Sequence, residues 1–279
     1  MATENPHPSP IMAQEDDLPG GSAPGKVTIG YLSGTEVCND FMMSLLALKD
    51  CDRQAGWDRL DHKNWWINQR SGVNVSRPRN ALVRKFLTMR DPAPEWLLMV
   101  DADMKFDPNA LEQLMASAQF PDRLVIGGLC VAFGADTTDP SKIALMSTVF
   151  DMAEPAPGID LPAFKVLPAK DVQRKALREV YGTGAAFLLI HRQVLIDIAV
   201  MVGQQYPWFR EIVVPDTRED VDWGSRHDYW VSEDLFFCLQ AHQAGHRVWV
   251  NTGTEIQHIK PIKLTENLWR SYGRVVQPA

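Results

Sequence analysis

The chain has 279 residues, 45% hydrophobic and 23% charged, with a formal net charge of −7, a make-up that suits one large or two small soluble domains. That charge disfavours a broad, sequence-independent grip on nucleic acid, which needs many Lys and Arg to replace phosphate counterions. Apolar runs such as 185–190 are too short to cross a bilayer, no secretory pattern opens the chain, and four scattered cysteines lack metal-ligand spacing; the sequence predicts a cytoplasmic protein with reduced thiols and no membrane partner.

Residues 1–25 carry Pro6, Pro8, Pro10, Pro19 and Pro24 together with Glu15-Asp16-Asp17, and read as a disordered tail. Residues 26–279 read as a single α/β domain. Its first part, about 26–135, alternates a strand at 27–32, a helix at 37–49, a strand at 64–67, a helix at 78–89 and a strand ending at Asp101. A helix with Asp107 as N-cap and Pro108 in its first turn follows, then a strand at 124–128. Such alternation implies a mostly parallel, Rossmann-like central sheet flanked by helices. The second part, about 136–279, is less regular. It holds strand-like residues 144–150, a strand at 185–190, a helix at 193–201, a long polar and aromatic segment at 215–230, a helix capped by Ser232 and closed by Gly245, and a strand at 247–250.

Chemistry concentrates at a few points. Glu95-Trp96-Leu97-Leu98-Met99-Val100-Asp101-Ala102-Asp103 is a buried strand ending in two carboxylates one residue apart, and ligands gather outside the carboxyl ends of such strands. Oxygen ligands there suit Mg²⁺ or Mn²⁺ carrying substrate phosphates; the plainer reading is a strand-to-helix turn. Glu233 and Asp234 open a helix, where carboxylates also simply complement the dipole. Asp234 shares a helix face with Cys238 and Ala241, small residues that suggest an inward stripe. His258 follows the last strand and reads as a packed residue or as a nitrogen ligand. Trp223, Tyr229 and Trp230 are aromatics in a polar loop that offer a stacking surface.

In this order these features resemble the GT-A fold glycosyltransferases, which transfer a sugar from a nucleotide diphosphate sugar. The resemblance covers roughly Lys26 to Pro261. It implies a GT-A fold with a donor half (26–135) and an acceptor half (136–279). It further implies a divalent metal, Mn²⁺ or Mg²⁺, on Asp101, Asp103 and His258, with Asp101 and Ala102 also near the nucleotide. Ser33, Gly34 and Thr35, together with Arg79 and Asn80, match positions that contact the nucleotide. Gly184, in Tyr181-Gly182-Thr183-Gly184, matches the glycine-rich approach to the donor sugar. The late acidic motif implies catalytic roles for Asp234, as general base, and Glu233, as acceptor-hydroxyl ligand, with Trp223, Tyr229 and Trp230 toward the acceptor.

The donor expected from family frequency is a UDP-sugar, and the outcome expected is inversion by single displacement. The acceptor stays open among a protein, a glycan, a small molecule and a modified DNA base, the last of which would suit a bacteriophage enzyme in its host's cytoplasm. A haloacid dehalogenase-like phosphatase or phosphotransferase also places Asp-x-Asp at a strand end, but on its first strand and with Thr or Val where this chain has Lys105. A sugar-nucleotide pyrophosphorylase would carry a basic glycine-rich loop where Ser33-Gly34-Thr35-Glu36 stands. A non-catalytic nucleotide-sugar or carbohydrate-binding module would keep the fold without turnover.

Overall fold

The computed structural model describes residues 12–13, 24–61, 63, 65–72, 74–90, 93–135, 143–159, 161–203, 207–218 and 228–260. Its first part runs β1 (Met12–Ala13), β2 (Val27–Ser33), α1 (Asn39–Gln54), β3 (Trp66–Arg70), α2 (Ser76–Thr88), β4 (Trp96–Asp101), β5 (Met104–Phe106) and α3 (Ala110–Ser117). The second part adds β6 (Val125–Ala135), β7 (Ile143–Ser147), β8 (Val149–Ala153), β9 (Ala163–Val166), β10 (Leu177–Val180), β11 (Gly182–Thr183) and β12 (Phe187–His191). It ends with α4 (Arg192–Val202), β13 (Ile212–Val214), β14 (Tyr229–Val231), α5 (Glu233–Gln243) and β15 (Val248–His258).

The main sheet has the order β1-β10-β15-β6-β12-β4-β2-β3, with β5 on β15 and β7 on β6. Strands β3, β2 and β4 are parallel, as are β6 and β15, while β12 lies antiparallel between β4 and β6 and β10 lies antiparallel to β15. Across the sheet β3, β2, β4, β6 and β15 therefore point one way, with β12 and β10 reversed. This is the α/β, mostly parallel sheet expected from the alternation. Strand β4 sits at its centre because residues 96–100 are apolar on both faces and 0–2% exposed, so a strand must cover each edge and a helix layer each face.

Alternation along β2 distributes the helices. Tyr31 meets Phe41 of α1 on one face. Gly30 points to the other, where an added Cβ would lie 2.5 Å from Leu82 Cδ2 of α2. Helix α2 is thus drawn close against the sheet at the one position of β2 without a side chain.

Several boundaries differ from those read in the sequence. The N-cap of α3 is Asn109, with Ala110 N–H bonded to the Asp107 carbonyl, because Asp107-Pro108-Asn109 is spent on a turn before the helix begins. Residues 144–150 are two strands broken at Thr148, where β7 leaves its pairing with β6 and β8 joins a separate small sheet with β9 and β11. Residues 12–13, inside the segment read as a disordered tail, pair with Leu177 and Arg178 and continue the sheet beyond β10.

Strands β6 and β15 are each 11 residues long, well past the stretches 124–128 and 247–250 that apolar patterning marked. Close neighbours on β11 and β15 explain Gly127-Gly128. A Cβ on Gly127 would lie 3.0 Å from Thr183 Oγ1, and one on Gly128 would lie 2.8 Å from Ile256 Cγ1 and 3.2 Å from the Thr254 carbonyl. Beside them the register jumps from Gly128↔Asn251 to Leu129↔Glu255, so residues 252–254 bulge and re-aim the end of β15.

Candidate active site

A cavity of about 760 Å³ opens at the carboxyl end of β4. Three elements bring charge to it: the β4–β5 turn with Asp101, Ala102 and Asp103, the first turn of α5 with Glu233 and Asp234, and the end of β15 with His258 and Lys260. Gly34 and Gly184, both expected at the donor, also line it.

The turn is held from both sides. Asp101 N–H donates to the Ala186 carbonyl (3.0 Å), Cys38 N–H to the Ala102 carbonyl (3.3 Å), and Ile259 N–H to the Asp103 carbonyl (2.9 Å). Strand β5 then pairs antiparallel with β15 in the register His258↔Met104. His258, the last residue of β15, and Lys260 just beyond it both reach Asp103. His258 Nε2 lies 3.1 Å, and Lys260 Nζ 2.5 Å, from the same oxygen, Asp103 Oδ2.

Arg79 organises the other acids. Its Nη2 donates to Asp101 Oδ1 at 3.0 Å and Oδ2 at 3.1 Å, and its Nη1 lies 3.5 Å from Glu233 Oε1. The side chain is only 5% exposed and packs over the Phe209 ring. Burial pushes the Asp101 carboxyl above its usual range, with Asp103 and Asp234 adding to the push, while Arg79 opposes it. Burial raises Glu233 in the same way, again against Arg79 and helped by Asp234. Asp234 is fixed through Oδ1, which accepts from the Ser232 hydroxyl and, at 2.8 Å, from Leu235 N–H.

The expected donor set is gathered only in part. Among the described residues no group of three or more His, Cys, Asp and Glu converges as a metal would require. Asp103 and His258 meet at one point, but both oxygens of Asp101 are engaged by Arg79, since the buried guanidinium needs the anion. One carboxylate and one imidazole still fit a divalent cation that takes its remaining ligands from phosphates and water.

Other expected residues lie elsewhere. Asn80, matched to a nucleotide contact, is 2% exposed and spends its amide on residues 208–209: Nδ2 donates to the Phe209 carbonyl (2.6 Å), and Oδ1 accepts from the N–H groups of Trp208 and Phe209. Ser33 donates to Asn68 Oδ1 at 3.0 Å, and neither it nor Thr35 lines the cavity. The Tyr229 hydroxyl accepts from Phe164 N–H at 2.8 Å, so this ring packs rather than lining the cavity. Trp230 is 69% exposed outside the cavity, and Trp223 lies outside the described residues. Lys260, which the sequence did not single out, also lines the cavity; its signal was a basic residue two positions past His258.

No family model matches the sequence, and no curated protein matches it. Solved structures do. GalNAc-T7 with UDP, GalNAc and Mn²⁺ has a TM-score of 0.49 at 10% identity, over 86% of this chain and 44% of that one. A197 from STIV has 0.45 at 14%, over 85% and 86%. A glycosyltransferase involved in glycosylation of the major capsid of PBCV-1 has 0.31 at 11%, over 71% and 70%, and the inositol-1-phosphate CTP transferase of T. maritima has 0.37 at 15%, over 90% and 95%. The chain has an α/β fold with a large central sheet flanked by helices, and the solved structures it is similar to include glycosyltransferases.

Proposed function

We propose that the chain is a metal-dependent glycosyltransferase that moves a sugar from a nucleotide diphosphate sugar, a UDP-sugar, to an acceptor hydroxyl. The observation that carries this reading is the convergence in one cavity of Asp103 with His258 and of Glu233 with Asp234, contributed by elements far apart in the chain. The first pair suits the diphosphate end of a donor and the second suits an acceptor hydroxyl.

A divalent cation held by Asp103 and His258 would neutralise charge on the departing diphosphate. Asp234 takes the proton from the acceptor hydroxyl as it attacks the anomeric carbon from the face opposite the diphosphate, inverting the configuration. Glu233 accepts a hydrogen bond from the acceptor, and Arg79 holds Glu233 and Asp101 in place from below. Ala102 leaves room for the ribose to approach the backbone, and Gly184, closed over by Thr148, lines the same cavity.

The test is a panel of nucleotide sugars scored for thermal stabilisation and Mn²⁺-dependent hydrolysis. A UDP-sugar should raise Tm and be hydrolysed, and Asp103→Ala should abolish both hydrolysis and its metal dependence while keeping the far-ultraviolet circular dichroism of the parent. Stabilisation without turnover in any assay would favour the binding-module reading. Full activity in EDTA would remove the metal from the proposal, and stronger stabilisation by a guanosine or thymidine donor would replace uridine.

A further inference from the structure

Asp103 Oδ2 has two cationic or potentially cationic neighbours from the same strand end, His258 at 3.1 Å and Lys260 at 2.5 Å. Strand β5 pairs with β15 through Met104↔His258, and Ile259 N–H closes onto the Asp103 carbonyl, which holds residues 258–260 alongside Asp103. The Lys260 side chain is 39% exposed and lines the cavity, with Asp103 its one carboxylate partner among the described residues.

We propose that Lys260 is a cation switch on Asp103: its ammonium occupies the metal-binding oxygen in the free protein and moves to the donor's diphosphate when a divalent cation takes Asp103. This rests on the donor reading above. Two like charges on one carboxylate oxygen repel strongly in a part-buried cavity, so Lys260 and the divalent ion exclude one another there. The displaced ammonium then needs an anion within reach of its flexible four-carbon stem. Three of the other acidic side chains in the cavity already have partners: Asp101 and Glu233 against Arg79, and Asp234 on Ser232 and Leu235. A nucleoside diphosphate supplies the missing anion. Metal and nucleotide therefore bind cooperatively, and each must raise the other's affinity by the same factor.

The experiment is Mn²⁺ binding measured by electron paramagnetic resonance on the full chain, with and without UDP, for the parent, K260Q and K260R. The parent should bind Mn²⁺ weakly alone and about tenfold more tightly with saturating UDP. K260Q should bind Mn²⁺ alone about fivefold more tightly than the parent, the size of effect expected of one part-exposed ion pair, and should lose most of the gain from UDP. K260R, which keeps the charge, should behave as the parent, and unchanged melting curves for both variants would show that the fold is intact. Equal donor-free Mn²⁺ affinity in parent and K260Q, or undiminished coupling in K260Q, overturns the switch. If UDP binds but leaves Mn²⁺ affinity unaltered in the parent, the switch fails while the donor reading stands; if UDP does not bind under any condition, both fail.

Discussion

Asp234 and Glu233 are neighbours in sequence, yet the first turn of α5 gives them different surroundings. Asp234 is oriented by the Ser232 hydroxyl and the Leu235 amide, whereas Glu233 faces the buried Arg79 and is pushed toward protonation by burial. Asp234 shares its helix face with Cys238 and Ala241, and both of those are 0% exposed. Loss of a placed general base costs about 10²- to 10⁴-fold in rate, so Asp234→Asn should nearly eliminate transfer while leaving UDP and Mn²⁺ affinity unchanged. A parent-like rate would dismiss it as the base, and a first-formed product that retains the donor's anomeric configuration by nuclear magnetic resonance would dismiss the single displacement. The thiols give a second residue-level prediction. Burial holds the Cys130 thiol far above its usual range and pushes Cys238 up to about 12, while Cys38 and Cys51 are partly exposed. Ellman's reagent at mildly alkaline pH should therefore react promptly with Cys38 and Cys51 and leave Cys130 and Cys238 untouched until denaturant is added. Cys38 lines the cavity, so UDP should slow its reaction and leave Cys51 unaffected.

Among the elements, the pair β6 and β15 governs the metal side of the site. The glycine at position 128 lets β15 bulge past β6, and beyond that bulge His258 and Lys260 reach Asp103 in the β4–β5 turn. Ala at 128 would press on Ile256 and on the Thr254 backbone carbonyl, and backbone cannot rotate aside as a side chain can. Gly128→Ala should destabilise the fold by about 1–3 kcal/mol in urea titration and weaken Mn²⁺ binding with it. Unchanged stability together with unchanged Mn²⁺ affinity would show that the bulge does not position the strand end. On the opposite side α2 carries Arg79, drawn against the sheet where Leu82 meets Gly30. That helix was legible from its apolar spacing and from Pro78 in its first turn. The role of Arg79 as a bridge between two carboxylates was not, because its partners lie 22 and 154 positions away in sequence.

At the scale of the molecule, stability is unevenly spread. Strands β4 and β12 pair with each other along Trp96–Val100 and His191–Phe187, are flanked by β2 and β6, and are almost wholly buried. The β13–β14 hairpin stands apart as a two-stranded sheet with Val213 42% and Trp230 69% exposed. Local opening is easiest where few apolar contacts must be broken, so native-state amide exchange should be slowest in β4 and β12 and fast in β13 and β14. Equal protection of hairpin and central strands would mean that the packing of Ile212, Tyr229 and Val231 against Phe236 and Leu239 holds the hairpin as firmly as the main core. Among the described residues no helix is long and apolar enough to cross a membrane.

The amino-acid sequence by itself determined the α/β class, the buried strand that ends at Asp101 and Asp103, and the acidic helix start at Glu233 and Asp234. Each is a local pattern of apolar spacing or capping that needs no partner to be read. Tertiary structure alone decided which of the singled-out side chains meet. Asn80 and Tyr229 were drawn into packing, Asp101 was claimed by Arg79, and Lys260 was brought to Asp103 beside His258. Those outcomes follow from sheet register and from a buried guanidinium's need for anions. Both are set by contacts between residues far apart in the chain, which local spacing does not encode.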